Sequence, residues 1–406
     1  MPSTDVPPRK AHVLSMWQWW LVGALVAAAA IVGASQIGET RMLEPDSPSY
    51  IDFAGIRGLA YPLFLYVLRS LGLSLEAVLW VQFTLNLATI PVLFAALYRA
   101  VGNSWIPTLI VLLAFVNPEV AKYHAKIMSE SVFLTVLTLY IAAFLSFLDR
   151  PSRKTLACAA LLAAAAVTVK SVGWAFVVLL CLAAVASIVR RPGRAAMSAA
   201  FLIPIALVLA VEGVASRIVH GPDRASLAPR HVFAKAGMIE ADIPADRLAA
   251  GPNAGLHRAL EEDAATIRRL IARAPTPEIA RFLTVNYEVF LQYEFALAER
   301  RQIAQRGGLD TLLMDSGRER IRHGWAGYAD LAIRHYLSLW MLYGTSHPAL
   351  YEQTAAFLEA ERPLPFEDSI VAFREPIETA GVKAVIARPV IALSGVVTFV
   401  MAGLGL

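Results

Sequence analysis

The chain has 406 residues, of which 57% are hydrophobic and only 17% charged, with a formal net charge of +4 and a mean hydropathy of +0.56. That balance excludes an ordinary soluble globular domain. The basic residues gather in short loops between apolar windows and form no stripe interleaved with aromatics, which argues against nucleic acid as a partner.

A bilayer crossing takes about 20 predominantly apolar residues, because in hydrocarbon a helix satisfies its own backbone polar groups. The first dozen residues, rich in proline and polar types, read as a disordered tail. The apolar windows that follow are Met16 to Ile37, Ala77 to Tyr98, Ser104 to Val116, Ile127 to Leu148, Leu156 to Val169, Ser171 to Ile188, Ala195 to Val211 and Pro389 to Leu406. The expected fold is an all-α multi-pass membrane protein of about eight transmembrane helices. The first window is long and no small-residue cleavage site follows it, so it reads as a retained helix and not a removed signal peptide. The third and fifth windows are short for a crossing. Leu156 to Ile188 reads as two helices with Lys170 at their junction, since a lysine is costly in mid-membrane and snorkels near an interface. Cys158 and Cys181 both fall inside apolar windows, so no disulfide framework is expected outside the membrane.

Orientation follows from the distribution of Lys and Arg. Arg9, Lys10, Arg99, Arg150, Arg153, Lys154, Arg190, Arg191 and Arg194 fall on one side, against Lys122, Lys126 and Lys170 in the short loops opposite. The amino terminus is therefore expected in the cytoplasm, with Trp17, Trp19 and Trp20 anchoring the first span at the headgroups. The organisation read from this pattern is a cytoplasmic tail (1–15), a transmembrane bundle (16–211) with an external loop at 38–75, a periplasmic and juxtamembrane helical region (212–388) and a final span (389–406). In the long external region, Leu256 to Ala274 and Pro277 to Arg300 have the spacing of amphipathic helices.

Chemistry is sought on the external side. In the first loop, Glu44-Pro45-Asp46-Ser47-Pro48-Ser49-Tyr50 places a carboxylate between two prolines, and Ile51, Phe53 and Ala54 suggest a short helix on the membrane surface. A turn aspartate is the plain alternative. Arg57, Tyr61 and Pro62 follow. In the second external loop, His124 and Lys126 lead to Glu130, about one turn inside an apolar window, where an ionisable group is costly unless paired or functional. His124 and Lys126 are near enough in sequence to be its partners, and a structural pair with Lys126 is the alternative. Lys170 adds an ammonium able to contact phosphate, or simply to snorkel. Together these residues offer a carboxylate to accept a proton or hold a metal ion, and cations to offset charge on a departing phosphate. Two further stretches stand out: Arg230, His231 and Lys235 as a basic cluster, and Trp325, Tyr328, His335, Tyr336, Trp340 and Tyr343 as an aromatic amphipathic segment.

Over Met16 to Arg190 the chain resembles the GT-C-type membrane glycosyltransferases, in particular the branch of protein O-mannosyltransferases and lipid A aminoarabinose transferases. The resemblance rests on Asp46, Tyr50 and Tyr61-Pro62 in the first external loop and Ser129-Glu130 opening the fourth span; Lys170-Ser171 stands where the family usually has Arg-Pro. It implies a GT-C bundle in the bacterial inner membrane and an inverting transfer of one sugar, on the periplasmic face, from a polyprenyl-phosphate donor to an envelope lipid, glycan or protein. Asp46 and Glu130 are then the expected catalytic residues, with Tyr50, Arg57, Tyr61, His124, Lys126 and Lys170 on the substrates and Asp46 the candidate ligand for a Mg2+ or Mn2+ ion. Two rival classes stay open. A transporter or flippase would be expected to show a repeat between its halves, and none is found in the sequence. A non-catalytic envelope assembly subunit would not gather these side chains around one cavity.

Overall fold

The computed structural model describes residues 14–38, 42–44, 46–55, 57–189, 194–221, 228–244, 254–276 and 308–338, with Phe357 and scattered positions between 279 and 291. The expected final span at 389–406, most of 277–300, and Trp340 and Tyr343 lie outside the described residues. Among the described residues the chain is helical, with no strand.

The helices are α1 (Met16–Gln36), α2 (Ser47–Ile51), α3 (Ala60–Ser70), α4 (Leu75–Val101), α5 (Trp105–Phe115), α6 (Pro118–His124), α7 (Ser129–Asp149), α8 (Arg153–Val169), α9 (Trp174–Val189), α10 (Arg194–His220), α11 (Ala228–Gly237), α12 (Ala254–Arg273), α13 (Leu309–His323) and α14 (Trp325–Ser338). Among the described residues, four are long and apolar enough to cross a membrane: α1, α4, α7 and Ala195–His220 of α10. That is the basis on which this is a membrane protein. Trp105–Phe115 and Ser171–Ala186 are shorter apolar helices.

The chain divides into two compact units, Met1–Ala225 and Ser226–Leu406. In the first, Val22, Leu25 and Ala29 of α1 pack with Ile90, Leu93 and Phe94 of α4 and with Val111 and Phe115 of α5. α4 also packs along α7, and α8 lies between α7 and α10. α8 takes this central place because Ala159, Ala160, Ala163, Ala164 and Ala166 are all fully buried; such small side chains let neighbouring backbones approach closely. Tyr140, Phe147, Leu180 and Phe201 fill the space around them.

The break at Lys170 is as the hydropathy pattern implied. α8 ends at Val169, Lys170 is extended (φ −153°, ψ 132°), and a 3-10 turn over Ser171–Gly173 leads into α9. Gly173 is required there, because a Cβ would collide with the Ala166–Val167 backbone. Two helices meeting at a polar residue avoid placing that ammonium in the middle of an apolar rod.

In the second unit, α11, α12 and α13 enclose a core of Phe233, Leu256, Leu260, Leu283, Tyr287 and Leu313. Arg320 is 0% exposed. Its Nε donates to the Ala236 carbonyl (3.0 Å) and its Nη2 to the Ile239 carbonyl (2.9 Å), so it ties together the last turn of α11 and the segment that follows it. Its charge is met by Glu261 at 2.7 Å. Beside it the buried His257 contacts Glu319 at 3.1 Å, and burial holds that imidazole below its ordinary pKa. Lys235, from the basic cluster read in the sequence, pairs with Glu288 at 2.6 Å.

Candidate active site

The candidate site is built at one end of the first unit. The segment after α1 crosses the entrance to α7. Ile127 N–H donates to the Met42 carbonyl (2.9 Å), Ser47 Oγ donates to the Ile127 carbonyl (2.9 Å) and the Glu44 N–H donates back to Ser47 Oγ (2.8 Å). An ion pair between Lys126 and Glu44 closes this strap.

Asp46 then occupies the N-cap of α2, with Pro48 in the first turn, where proline's missing N–H costs nothing. An aspartate at this position ordinarily accepts from its own helix. Here it makes no such cap bond; its carboxylate instead meets Arg57 Nη2 at 2.7 Å, and the Asp46 side chain stays 50% exposed. Arg57 also donates from Nε to Ser49 Oγ at 2.8 Å and lies over the ring of Tyr50, 4.7 Å from its centroid. The guanidinium is thus oriented from three directions, and the aromatic face favours the cation.

α2 ends in a strained turn. Phe53 has φ +53°, a left-handed conformation that glycine usually takes at this point of a helix end. The turn is closed by the Ala54 N–H donating to the Ser49 carbonyl at 2.9 Å, and the Phe53 ring packs edge-on to Tyr66 (5.9 Å).

Tyr50 joins the loop to α7. Its hydroxyl is 3.1 Å from Ser129 Oγ, and its ring meets Tyr61 edge to face at 5.2 Å. The next residue, Glu130, pairs through Oε1 with Lys170 Nζ at 2.6 Å. Its other oxygen, Oε2, is buried without a hydrogen-bond partner. A buried acceptor left so costs about 1–3 kcal/mol, and native folds keep few of them.

The pairing differs from the expected one. Neither His124 nor Lys126 partners Glu130. Lys126 is taken by Glu44, and Glu130 is met by Lys170, 40 residues further along the chain. His124 is 3% exposed, with Nδ1 2.7 Å from Ser131 Oγ, and burial pushes its pKa down to about 4, so the neutral ring is part of the interior and has no face for a substrate. Tyr61 is wholly buried too. Burial, then the neighbouring Tyr50 and Glu130, holds its phenol above the ordinary range, and its hydroxyl donates to Gln82 Oε1 at 3.2 Å. Of the residues singled out in the sequence, Asp46, Arg57, Lys126, Glu130 and Lys170 are the partly exposed polar side chains; Tyr50, His124 and Tyr61 are buried.

Sequence reasoning missed Gln82 and Glu212. Gln82 is fully buried in α4 and donates from Nε2 to the carbonyls of His124 (3.0 Å) and Lys126 (2.9 Å). Glu212 of α10 accepts the Leu59 N–H at 2.8 Å. Both carry a signal available in the sequence: a polar side chain inside a helix otherwise apolar enough to span.

A divalent cation does not fit Asp46 as the structure presents it. One carboxylate already engaged by a guanidinium is a poor ligand set for Mg2+ or Mn2+, which take several oxygen ligands. Among the described residues no group of three or more His, Cys, Asp or Glu side chains could hold a metal ion. No family model matches the chain, and neither a curated protein nor a solved structure matches it.

Proposed function

We propose that the chain is a GT-C-like membrane glycosyltransferase that moves one sugar from a polyprenyl-phosphate donor to an envelope lipid, glycan or protein. In this reading it spans the bacterial inner membrane about eight times, with the amino terminus in the cytoplasm and the polar cluster facing the periplasm. One observation carries it. Tyr50 bears the Arg57 guanidinium on its ring and reaches Ser129 with its hydroxyl, so the acid of the first loop and the acid of α7 belong to one cluster at the mouth of apolar helices. The half-exposed Asp46 carboxylate, the held cations Arg57 and Lys170 and the partnerless buried Oε2 of Glu130 support this reading.

The chemistry follows from charge placement. The acceptor hydroxyl oxygen attacks C1 of the donor sugar and forms the new C–O bond. The bond from C1 to the phosphate oxygen breaks, with the electron pair leaving on the polyprenyl phosphate. The hydroxyl proton passes to Asp46, whose carboxylate Arg57 holds in place. Lys170, held by Glu130, and Arg57 offset the negative charge growing on the phosphate. Attack opposite the leaving group inverts the anomeric centre. No step runs through a metal.

The test compares envelope glycolipids and glycans by mass spectrometry in cells carrying the wild type, Asp46→Asn or no protein. Loss of one glycosylated species and accumulation of sugar-charged polyprenyl phosphate in both the null and Asp46→Asn cells is the expected result. Identical spectra in all three would overturn the assignment and favour transport or assembly.

A further inference from the structure

Arg57 is delivered to the cluster by a backbone segment that a distant helix holds down. Glu212 lies well inside α10, a helix of spanning length and apolar composition. A carboxylate in such a segment is costly and is kept where it has a specific partner. Its partner is a main-chain group: Oε1 accepts the N–H of Leu59 at 2.8 Å. One residue earlier, a Cβ on Gly58 would overlap the Thr168 carbonyl and lie 3.7 Å from Glu212 Oε1. Residues 57–59 are therefore held between Glu212 and the last turn of α8. Lys170 directly follows that turn, two residues after Thr168, so the clamp brings the backbone that carries Arg57 to the segment that carries Lys170.

We infer that Glu212 is a positioning residue that, through the Leu59 amide and the bare backbone of Gly58, registers Arg57 with Lys170 for a single anionic lipid headgroup of the phosphomonoester or phosphodiester type. This rests on the proposed donor class for the headgroup, and on geometry alone for the clamp. Glu212 touches no reacting atom. Its contribution is preorganisation: a loop already ordered pays less entropy when an anion bridges its arginine to a lysine on another helix.

The purified full chain in nanodiscs, as wild type, Glu212→Ala, Glu212→Gln and Gly58→Ala, provides the test. Two quantities are read: hydrogen exchange at the Leu59 amide, and binding of undecaprenyl monophosphate against uncharged undecaprenol. Glu212→Ala should release Leu59 to fast exchange and weaken phospholipid binding about tenfold, the equivalent of one lost hydrogen bond to a charged group. Glu212→Gln keeps an accepting oxygen and should resemble wild type in both. Gly58→Ala, which displaces the loop without altering α10, should reproduce the alanine effect and guards against misfolding of Glu212→Ala. Unchanged exchange or unchanged binding in both Glu212→Ala and Gly58→Ala, or loss in Glu212→Gln as well, overturns the positioning role. Equal binding of the phosphate and the alcohol by wild type overturns the donor class instead, and the exchange rates then decide the clamp by themselves.

Discussion

Two charged clusters, one in each unit, are made from similar side chains and differ in what surrounds them. Around Arg320 the cation is inside: the guanidinium is fully buried and tied to two backbone carbonyls, and it pairs with Glu261, whose side chain is 36% exposed. Around Arg57, the guanidinium is held by a half-exposed aspartate, a hydroxyl and a ring face. The first arrangement turns Nε and Nη2 of the arginine onto the protein's own backbone and closes the guanidinium off from solvent. The second keeps a partly exposed cation paired with a half-exposed carboxylate.

The largest effect should come from breaking the buried cluster. Arg320→Met strands the Ala236 and Ile239 carbonyls that the guanidinium meets, and each buried acceptor left unpaired costs about 1–3 kcal/mol. Limited proteolysis of the full chain in lipid should show the second unit cleaved far faster. Resistance equal to wild type would mean that the buried network is not what holds that unit.

Acid should act next, through the interior beneath the candidate site. His124 is held neutral, with its pKa lowered from 6.5 to about 4, so the unfolded chain binds the proton more readily than the folded one. Its share of stability is fully present above pH 6.5 and is lost as the pH falls toward about 4, amounting to about 3 kcal/mol. His257, also lowered, adds a loss in the same direction below pH 6.5. Unfolding midpoints measured across this range should fall with pH, and His124→Gln should flatten part of the decline. A slope unchanged in that variant would contradict a neutral buried ring.

Asp46→Asn should reverse the order of consequences seen for Arg320. Its exposed ion pair is worth at most about 1 kcal/mol, so thermal stability should barely move, while sugar transfer should fall about a hundredfold or more if the carboxylate takes the proton. Equal transfer rates at equal expression would remove it from the chemistry. The smallest effect is expected at Phe53. Glycine there relieves about 1 kcal/mol of left-handed strain and forfeits the contact with Tyr66, so Phe53→Gly should leave the unfolding midpoint within about 1 kcal/mol of wild type. A larger loss would show that the ring is a main anchor of the loop.

Much of the helical layout was legible because it depends on local properties. The long apolar runs of α1, α4, α7 and α10 and the interruption at Lys170 follow from hydropathy and the cost of charge in lipid, whereas the short helix expected from Ser49 through Phe53 and Ala54 spans Ser47–Ile51 instead, with Phe53 in the left-handed turn that ends it. The residue types of the candidate cluster were legible for the same reason, since an acid or a lysine stands out in an apolar sequence. Which charge meets which was not. Glu130 has nearer candidates in sequence than Lys170, and its choice depends on the way α8 packs on α7 and ends beside it.

By itself, then, the sequence determined that this chain forms helices suited to a membrane and that a few polar residues interrupt them, because backbone satisfaction and hydrophobicity act over one or two turns. Tertiary structure alone decided that His124 and Tyr61 go inside, that Glu44 and Lys126 close the strap, and that Glu212 reaches back to Leu59, a residue 153 positions earlier. Those outcomes turn on side chains from separate helices meeting within hydrogen-bond distance, and no local pattern encodes the packing that brings them there.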